Sequence, residues 1–316
     1  MGREKETINR IGLALGSGSS RGWAHIGVIQ ALSEVGIEPD IVCGCSVGAL
    51  VGASYASGML DQLERWVTSL TKLEFARFFE LNLSLKGFID AERLHEFLES
   101  HVCAEDDRIE NLTKAYAAVS TDLETGREIW FTQGPVLEAV RASISIPGLF
   151  PPVQHEGKWL VDGGLVNPVP VSLCRSLGAD IVIAVNLNGD IVRKHPKQKE
   201  EATESGSIID RFTKTVKSYS ASLFSSPKPE DTPPALIDTI ALSLNIMQDR
   251  LTRSRMAGDP PDIHLTPKLS HIGLLEAYRG KEAIREGKEC VRRIMPEIQY
   301  VLDMPRADDP AIGKKA

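Results

Sequence analysis

Apolar positions in the first half of the chain fall into short runs separated by glycine- and serine-rich turns. Ile11–Leu15 (IGLAL) is too short for a helix and reads as a buried strand. A Gly/Ser loop covers 16–22. A mainly apolar stretch, 23–35, predicts a helix that stops at Gly36, because glycine tolerates the left-handed backbone of a helix end. Residues 40–43 predict a second short strand, which runs into Gly44-Cys45-Ser46-Val47-Gly48 and then a small-residue helix over 49–56. Strand, glycine loop, helix, strand, sharp turn, helix is the order of a parallel sheet covered by helices.

Residues 60–112 carry helical patterning. Residues 114–120 and 127–132 predict two strands joined by a hairpin turn at Glu124-Thr125-Gly126, and 135–142 a short helix. Three prolines make 143–152 (SISIPGLFPP) an irregular loop. Strands are expected over 158–161, ending at Asp162-Gly163-Gly164, and over 181–187. At 188 the composition turns polar, and 189–234 reads as an insert. Within it, 208–224 has apolar residues at helical spacing flanked by Lys214 and Lys217: a helix packed on the domain or on another subunit, or else a lid or lipid-docking face. A helix over 235–256, a last strand at 263–265 and helices over 274–302 complete the chain. The expected organisation is one α/β domain with a largely parallel central sheet flanked by helices: a core over 11–188, the insert over 189–234, and 235–304 completing the domain.

The 316 residues are 42% hydrophobic, enough for a large core. Net charge is −7, from 36 basic and 43 acidic residues, and no basic face stands out, which argues against a nucleic-acid partner. Five scattered cysteines suit reduced thiols in the cytoplasm rather than a disulfide framework or a zinc site. The N-terminal apolar run is cut by Gly16 and reads as a strand, not a signal peptide, and no stretch is apolar enough to span a bilayer.

Three elements carry candidate chemistry. Gly44-Cys45-Ser46-Val47-Gly48 is a G-x-S-x-G pattern between strand and helix, where a strained turn projects a serine hydroxyl; a helix-capping turn would look the same. Gly16-Ser17-Gly18-Ser19-Ser20-Arg21-Gly22 offers backbone amides at a helix start, for nucleotide phosphates or for an oxyanion. The oxyanion hole is preferred, because Arg21 replaces the third glycine of a dinucleotide fingerprint and the second strand ends in the serine turn, not in Asp or Glu. Asp162-Gly163-Gly164 follows a strand, at the edge where open sheets bind ligands, although Asp-Gly also makes plain turns. Among the histidines, His271 is the best candidate for the third member of a Ser–Asp–His triad, while His25, inside the first helix, reads as packed.

In that order, GSGSSRGWAHIGV, GCSVG and DGG resemble the patatin-like phospholipase family. RASISIPGLFPPV, KWLVDGGLVNPVPV and RMAGDPPDI extend the resemblance toward its bacterial RssA-type branch and the neuropathy target esterase catalytic domain, over 11–188 and again over 235–265. The resemblance implies a patatin-like three-layer sandwich and a lipid acyl-ester hydrolase (phospholipase A, lysophospholipase or carboxylesterase). It implies a Ser–Asp dyad with Ser46 as nucleophile and Asp162 as base, and neither histidine, metal nor cofactor. It also implies an oxyanion hole from Gly16, Ser17, Gly18 and Ser19, braced by Arg21, with Gly22, Gly44, Gly48, Gly163 and Gly164 in support. Ser17 stands where many members have glycine, so the hole requires backbone angles that suit a side chain. Burial beside Val161 and Trp159 is expected to raise the Asp162 pKa. A triad esterase and a non-catalytic regulatory protein are the competing readings. Peripheral contact with the inner face of a membrane, and homo-oligomers, stay open.

Overall fold

A computed structural model of the chain describes residues 9–75, 91–190 and 236–303. The predicted helix at 208–224 lies outside them. β1 (Ile11–Leu15) feeds a single-turn 3-10 segment (Ser19–Trp23) and α1 (Ala24–Ser33); β2 (Ile41–Cys45) feeds α2 (Val47–Ala56). α3 (Leu60–Ser69) and α4 (Ala91–His101) precede β3 (Ala115–Asp122), β4 (Glu128–Phe131) and α5 (Val136–Ser143). β5 (Val153–His155), β6 (Lys158–Asp162), α6 (Val171–Ser176) and β7 (Ile181–Val185) follow. α7 (Leu236–Gly258), β8 (Ile263–Leu265), α8 (Gly280–Arg293) and α9 (Met295–Asp303) come last.

Hydrogen-bonded neighbours in the sheet run β5-β6-β3-β2-β1-β7-β8, with β4 also on β3. The five strands from β3 to β8 are parallel; β4, β5 and β6 are antiparallel additions. The predicted α/β class therefore holds. Alternate residues of the central strands feed two cores. Leu13, Leu15, Val42, Tyr116, Ile183 and Val185 meet α1, α2, α5 and α8 on one face. Ala14, Ile41, Cys43, Ala117, Val119 and Ala184 meet α6 on the other. A sheet buried on both faces needs near-continuous apolar strands, which is why these segments show no alternation in sequence.

Two elements were not anticipated. β5 has only 3 residues and follows a double proline, and α6 begins immediately after Pro170, in a stretch to which the sequence assigned no element. The glycine loop is also shorter than expected, because Ser19–Trp23 coil into the 3-10 turn. Among the described residues no helix is long and apolar enough to cross a membrane.

The register of β3 sets up the site. Ala118 and Val119 pair with β2 and with β4, while Ser120 and Thr121 pair with β4 and with β6. A strand has two edges, so β2 and β6 must share one, with β4 on the other. β2 arrives at Cys45 opposite Val119, and β6 arrives from the opposite direction at Asp162 opposite Ser120. The two strands therefore abut end to end, which sets Asp162 beside the residue that follows Cys45.

Candidate active site

That residue is Ser46, and it alone makes the turn between β2 and α2. Its backbone lies at φ 56° and ψ −127°, a region L residues rarely adopt. Strain of this kind persists where the surroundings over-determine it. The Ser46 N–H donates to the buried Ser143 Oγ at the end of α5 (2.9 Å), and its carbonyl accepts from Ala49 N–H in the first turn of α2 (2.8 Å). Glycines complete the constraint: a Cβ on Gly48 would strike the Leu15 carbonyl of β1, and one on Gly44 the backbone of Ala49. Gly48→Ala is therefore expected to push α2 off β1 at a cost of about 3 kcal/mol. Calorimetry should read this as a fall in Tm of roughly 5 °C or more; an unchanged Tm would show that the close approach is dispensable.

Ser46 Oγ donates to Asp162 Oδ2 at 2.5 Å, and both side chains are buried. The second carboxylate oxygen, Oδ1, accepts from Gly164 N–H at 2.7 Å. The Asp162 backbone is tied down by its own N–H to Ser145 O (3.0 Å) and by Thr121 Oγ1 to its carbonyl (2.8 Å). Burial raises the Asp162 pKa from 3.8 to about 6, outweighing the hydrogen bonds from Ser46 and Gly164, which lower it. Val161 is buried as expected, but Trp159 is 45% exposed and cannot be part of the apolar surround.

The glycine loop lies against this pair. Ser17 does not adopt a positive φ; that falls instead on Ser19 (49°). The Gly16 N–H is spent on Val185 O (3.0 Å) and the Ser17 N–H on Pro168 O (2.8 Å). Of the four amides expected to face an oxyanion, those two therefore anchor the loop to β7 and to the segment before α6. The amides of Gly18 and Ser19 have no acceptor among the described residues. Arg21, buried, holds Gly18 O through Nε (3.1 Å) and Asn245 Oδ1 through a terminal nitrogen (2.9 Å). Burial lowers its pKa to about 10, so it stays charged at neutral pH. Gly22 lies against Val47, where a Cβ would collide with the valine side chain. Gly163 packs on the Val119 carbonyl.

Two compartments meet at Ser46. An apolar cavity of about 140 Å³ opens from it, walled by Trp23, Leu50, Trp66, Leu94, Phe97 and Phe150. The Trp66 and Phe97 rings stand 4.5 Å apart and form one side. A smaller compartment of about 20 Å³ is bounded by Gly18, Ser46, Asp162, Asn245 and Gln248 together with the apolar side chains of Ile146, Leu165 and Leu274. Among the described residues no histidine lines either one. His271 instead pairs with Glu282 at the surface (2.7 Å, side chain 45% exposed), away from the position a triad needs. His25 is packed, with Nε2 2.7 Å from Gly16 O, and burial lowers its pKa to about 4, so it is neutral.

Sequence reasoning missed Ser143, Asn245 and Gln248. Gln248 Oε1 accepts from Ser17 Oγ (3.1 Å) and from Asn188 Nδ2 (2.9 Å). A signal existed: Asn245, Gln248, Asp249 and Thr252 repeat at helical spacing, a polar stripe that α7 turns inward.

The family model of patatin-like phospholipases matches residues 13–175. An uncharacterised NTE family protein of Mycobacterium tuberculosis is 33% identical over 88% of this chain and 89% of its own length. A lysophospholipase, nte1, of Emericella nidulans is 28% identical over 96% of this chain but only 19% of itself. A rat patatin-like phospholipase domain-containing protein 7 is 32% identical over 57% of this chain and 14% of its own. With a matching family model over half its length and a relative matched almost end to end, the chain belongs to the patatin-like phospholipase family of lipid hydrolases.

Proposed function

We propose that the protein cleaves acyl esters of lipids, of the phospholipase A, lysophospholipase or carboxylesterase type, through a Ser46–Asp162 dyad and an acyl-serine intermediate. The observation that carries this reading is the 2.5 Å hydrogen bond from Ser46 Oγ to Asp162, formed where an apolar cavity opens. Asp162 takes the hydroxyl proton as Ser46 Oγ attacks the acyl carbonyl. The Gly18 and Ser19 amides receive the negative charge on the carbonyl oxygen, and Arg21 holds their loop in place. Collapse expels the alcohol, which takes its proton from Asp162. Water, deprotonated by Asp162, then hydrolyses the acyl-serine and restores both groups.

Residues 235–304 complete the core of 11–188 in this proposal, because α7 supplies Asn245 and Gln248 to the site. We place the enzyme in the cytoplasm, reaching lipid by peripheral contact with the inner face of a membrane. The five free, buried cysteines suit a reducing compartment.

The apolar cavity predicts a rising acyl-length series. With soluble esters of increasing chain length, kcat/KM is expected to climb about fourfold per methylene until the cavity is filled, since each buried methylene is worth about 0.8 kcal/mol. Lysophospholipid and phospholipid in the same panel rank the headgroup. A flat series from acetyl upward would reject the cavity as the acyl site.

A further inference from the structure

The smaller compartment has a volume of about 20 Å³, close to the room one water molecule requires, and the polar groups of Asp162, Asn245 and Gln248 lie among its mostly apolar walls. Asp162 lies on one side of it and Gln248 of α7 on the other. The orientation of the Gln248 amide is set by its surroundings. Its Oε1 accepts two hydrogen bonds, from Ser17 Oγ and Asn188 Nδ2, which turns Nε2 toward Gly164. A Cβ built on Gly164 would run into Gln248 Nε2 and would lie 2.9 Å from Asp162 Oδ1, so the amide nitrogen lies on the Oδ1 side of the carboxylate, and both residues line the compartment. The reverse orientation would set the amide carbonyl against the carboxylate, which is electrostatically unfavourable.

We infer that this compartment holds the water that hydrolyses the acyl-serine, with Gln248 Nε2–H donating to the water oxygen while Asp162 accepts its proton. The inference rests on the Ser46–Asp162 reading and deepens it. In the deacylation step the water O–H proton passes to the Asp162 carboxylate, and the new C–O bond forms to the acyl carbon. The Ser46 ester bond breaks, and Ser46 Oγ recovers the proton from Asp162. The donor from Gln248 orients the water lone pair toward the acyl carbon and keeps one proton aimed at Asp162. During acylation the leaving oxygen occupies this same place, because the water that follows it gives its proton to the same carboxylate. p-Nitrophenolate departs without that proton, so with a p-nitrophenyl ester Ser46, Asp162 and the glycine loop serve both half-reactions, and Gln248 serves the second. Gln248 also lies outside the matched family region of 13–175.

The test separates the half-reactions. kcat/KM for a p-nitrophenyl ester reports acylation, and acid quenching followed by intact-mass measurement reports the fraction of protein carrying acyl-Ser46 at steady state. Gln248→Met keeps the bulk and removes the donor; Gln248→Ala is the second variant should the first destabilise the fold. The expected result is kcat/KM within threefold of wild type and acyl-Ser46 decay slowed about tenfold, the value of one lost hydrogen bond, so that the acylated fraction rises. A merely structural role, exerted through Ser17 and the loop, would instead lower kcat/KM and leave the acylated fraction flat or reduced, and that outcome overturns the inference. An unchanged decay rate does so as well. Failure of the underlying reading looks different, with the acyl adduct mapping to a residue other than Ser46 in the wild-type protein.

Discussion

Replacing Ser46 with alanine is expected to lower kcat by about 10⁵-fold, the scale on which removing the nucleophile acts in serine hydrolases. The loss should fall on kcat and leave ground-state binding almost untouched, because the cavity walls are unchanged. Labelling by a fluorophosphonate probe should disappear with it. The fold should survive: the Ser46 hydroxyl makes one hydrogen bond, while the strained turn is held by backbone contacts to Ser143 and α2 that alanine retains. Circular dichroism and Tm close to wild type would separate lost chemistry from lost structure. Turnover within tenfold of wild type, or probe still bound to the protein, would exclude Ser46 as the nucleophile and revive the regulatory reading of the fold.

The second large effect is at Asp162, where activity and stability should move in opposite directions. Asp162→Asn removes the base and is expected to reduce kcat by about 10⁴-fold, comparable to loss of the orienting acid in a serine protease. In the wild-type protein the same group should impose a pH limit. Its pKa is raised to about 6, so kcat/KM should be level above that value and fall tenfold per pH unit below it. The stability sign follows from linkage. The folded state binds this proton more tightly than the unfolded chain, whose carboxyl titrates near 3.8. Ionisation therefore destabilises the fold; the penalty is absent below about pH 3.8 and fully present above about 6. A shift of that size corresponds to about 3 kcal/mol at most. Asp162→Asn should then raise Tm at pH 7.5, by an increment that fades as the pH approaches 4. A lower Tm at pH 7.5, with an unshifted pH–rate profile, would show that the buried carboxylate is not under this strain.

These residues could be picked out of the sequence to different extents, for physical reasons. The parallel core was legible because strands buried on both faces must be short, continuous apolar runs, and Ile11–Leu15 and Ile181–Val185 are such runs. The serine turn was legible because a residue at φ 56° between strand and helix requires small neighbours, and Gly44 and Gly48 provide them. Asp162 was visible as an Asp-Gly-Gly, but the reason offered for it, the C-terminal edge of a parallel strand, does not apply. β6 is antiparallel, and Asp162 reaches Ser46 because β6 meets β2 head-on along one edge of β3.

The short β5 and α6 and the polar stripe of α7 were hidden by flanking prolines and by ordinary helical composition. The sequence by itself determined the residue types, their order and the local turn chemistry, because strand length, glycine placement and helix starts are short-range effects. Only the tertiary structure decided which amides remain free. Gly16 and Ser17 spend theirs on Val185 and Pro168, far along the chain, whereas Gly18 and Ser19 do not. It likewise decided that Gln248 stands across from Asp162: the polar stripe of α7 marks a face that turns inward, but which residues it meets depends on how the sheet and helices pack.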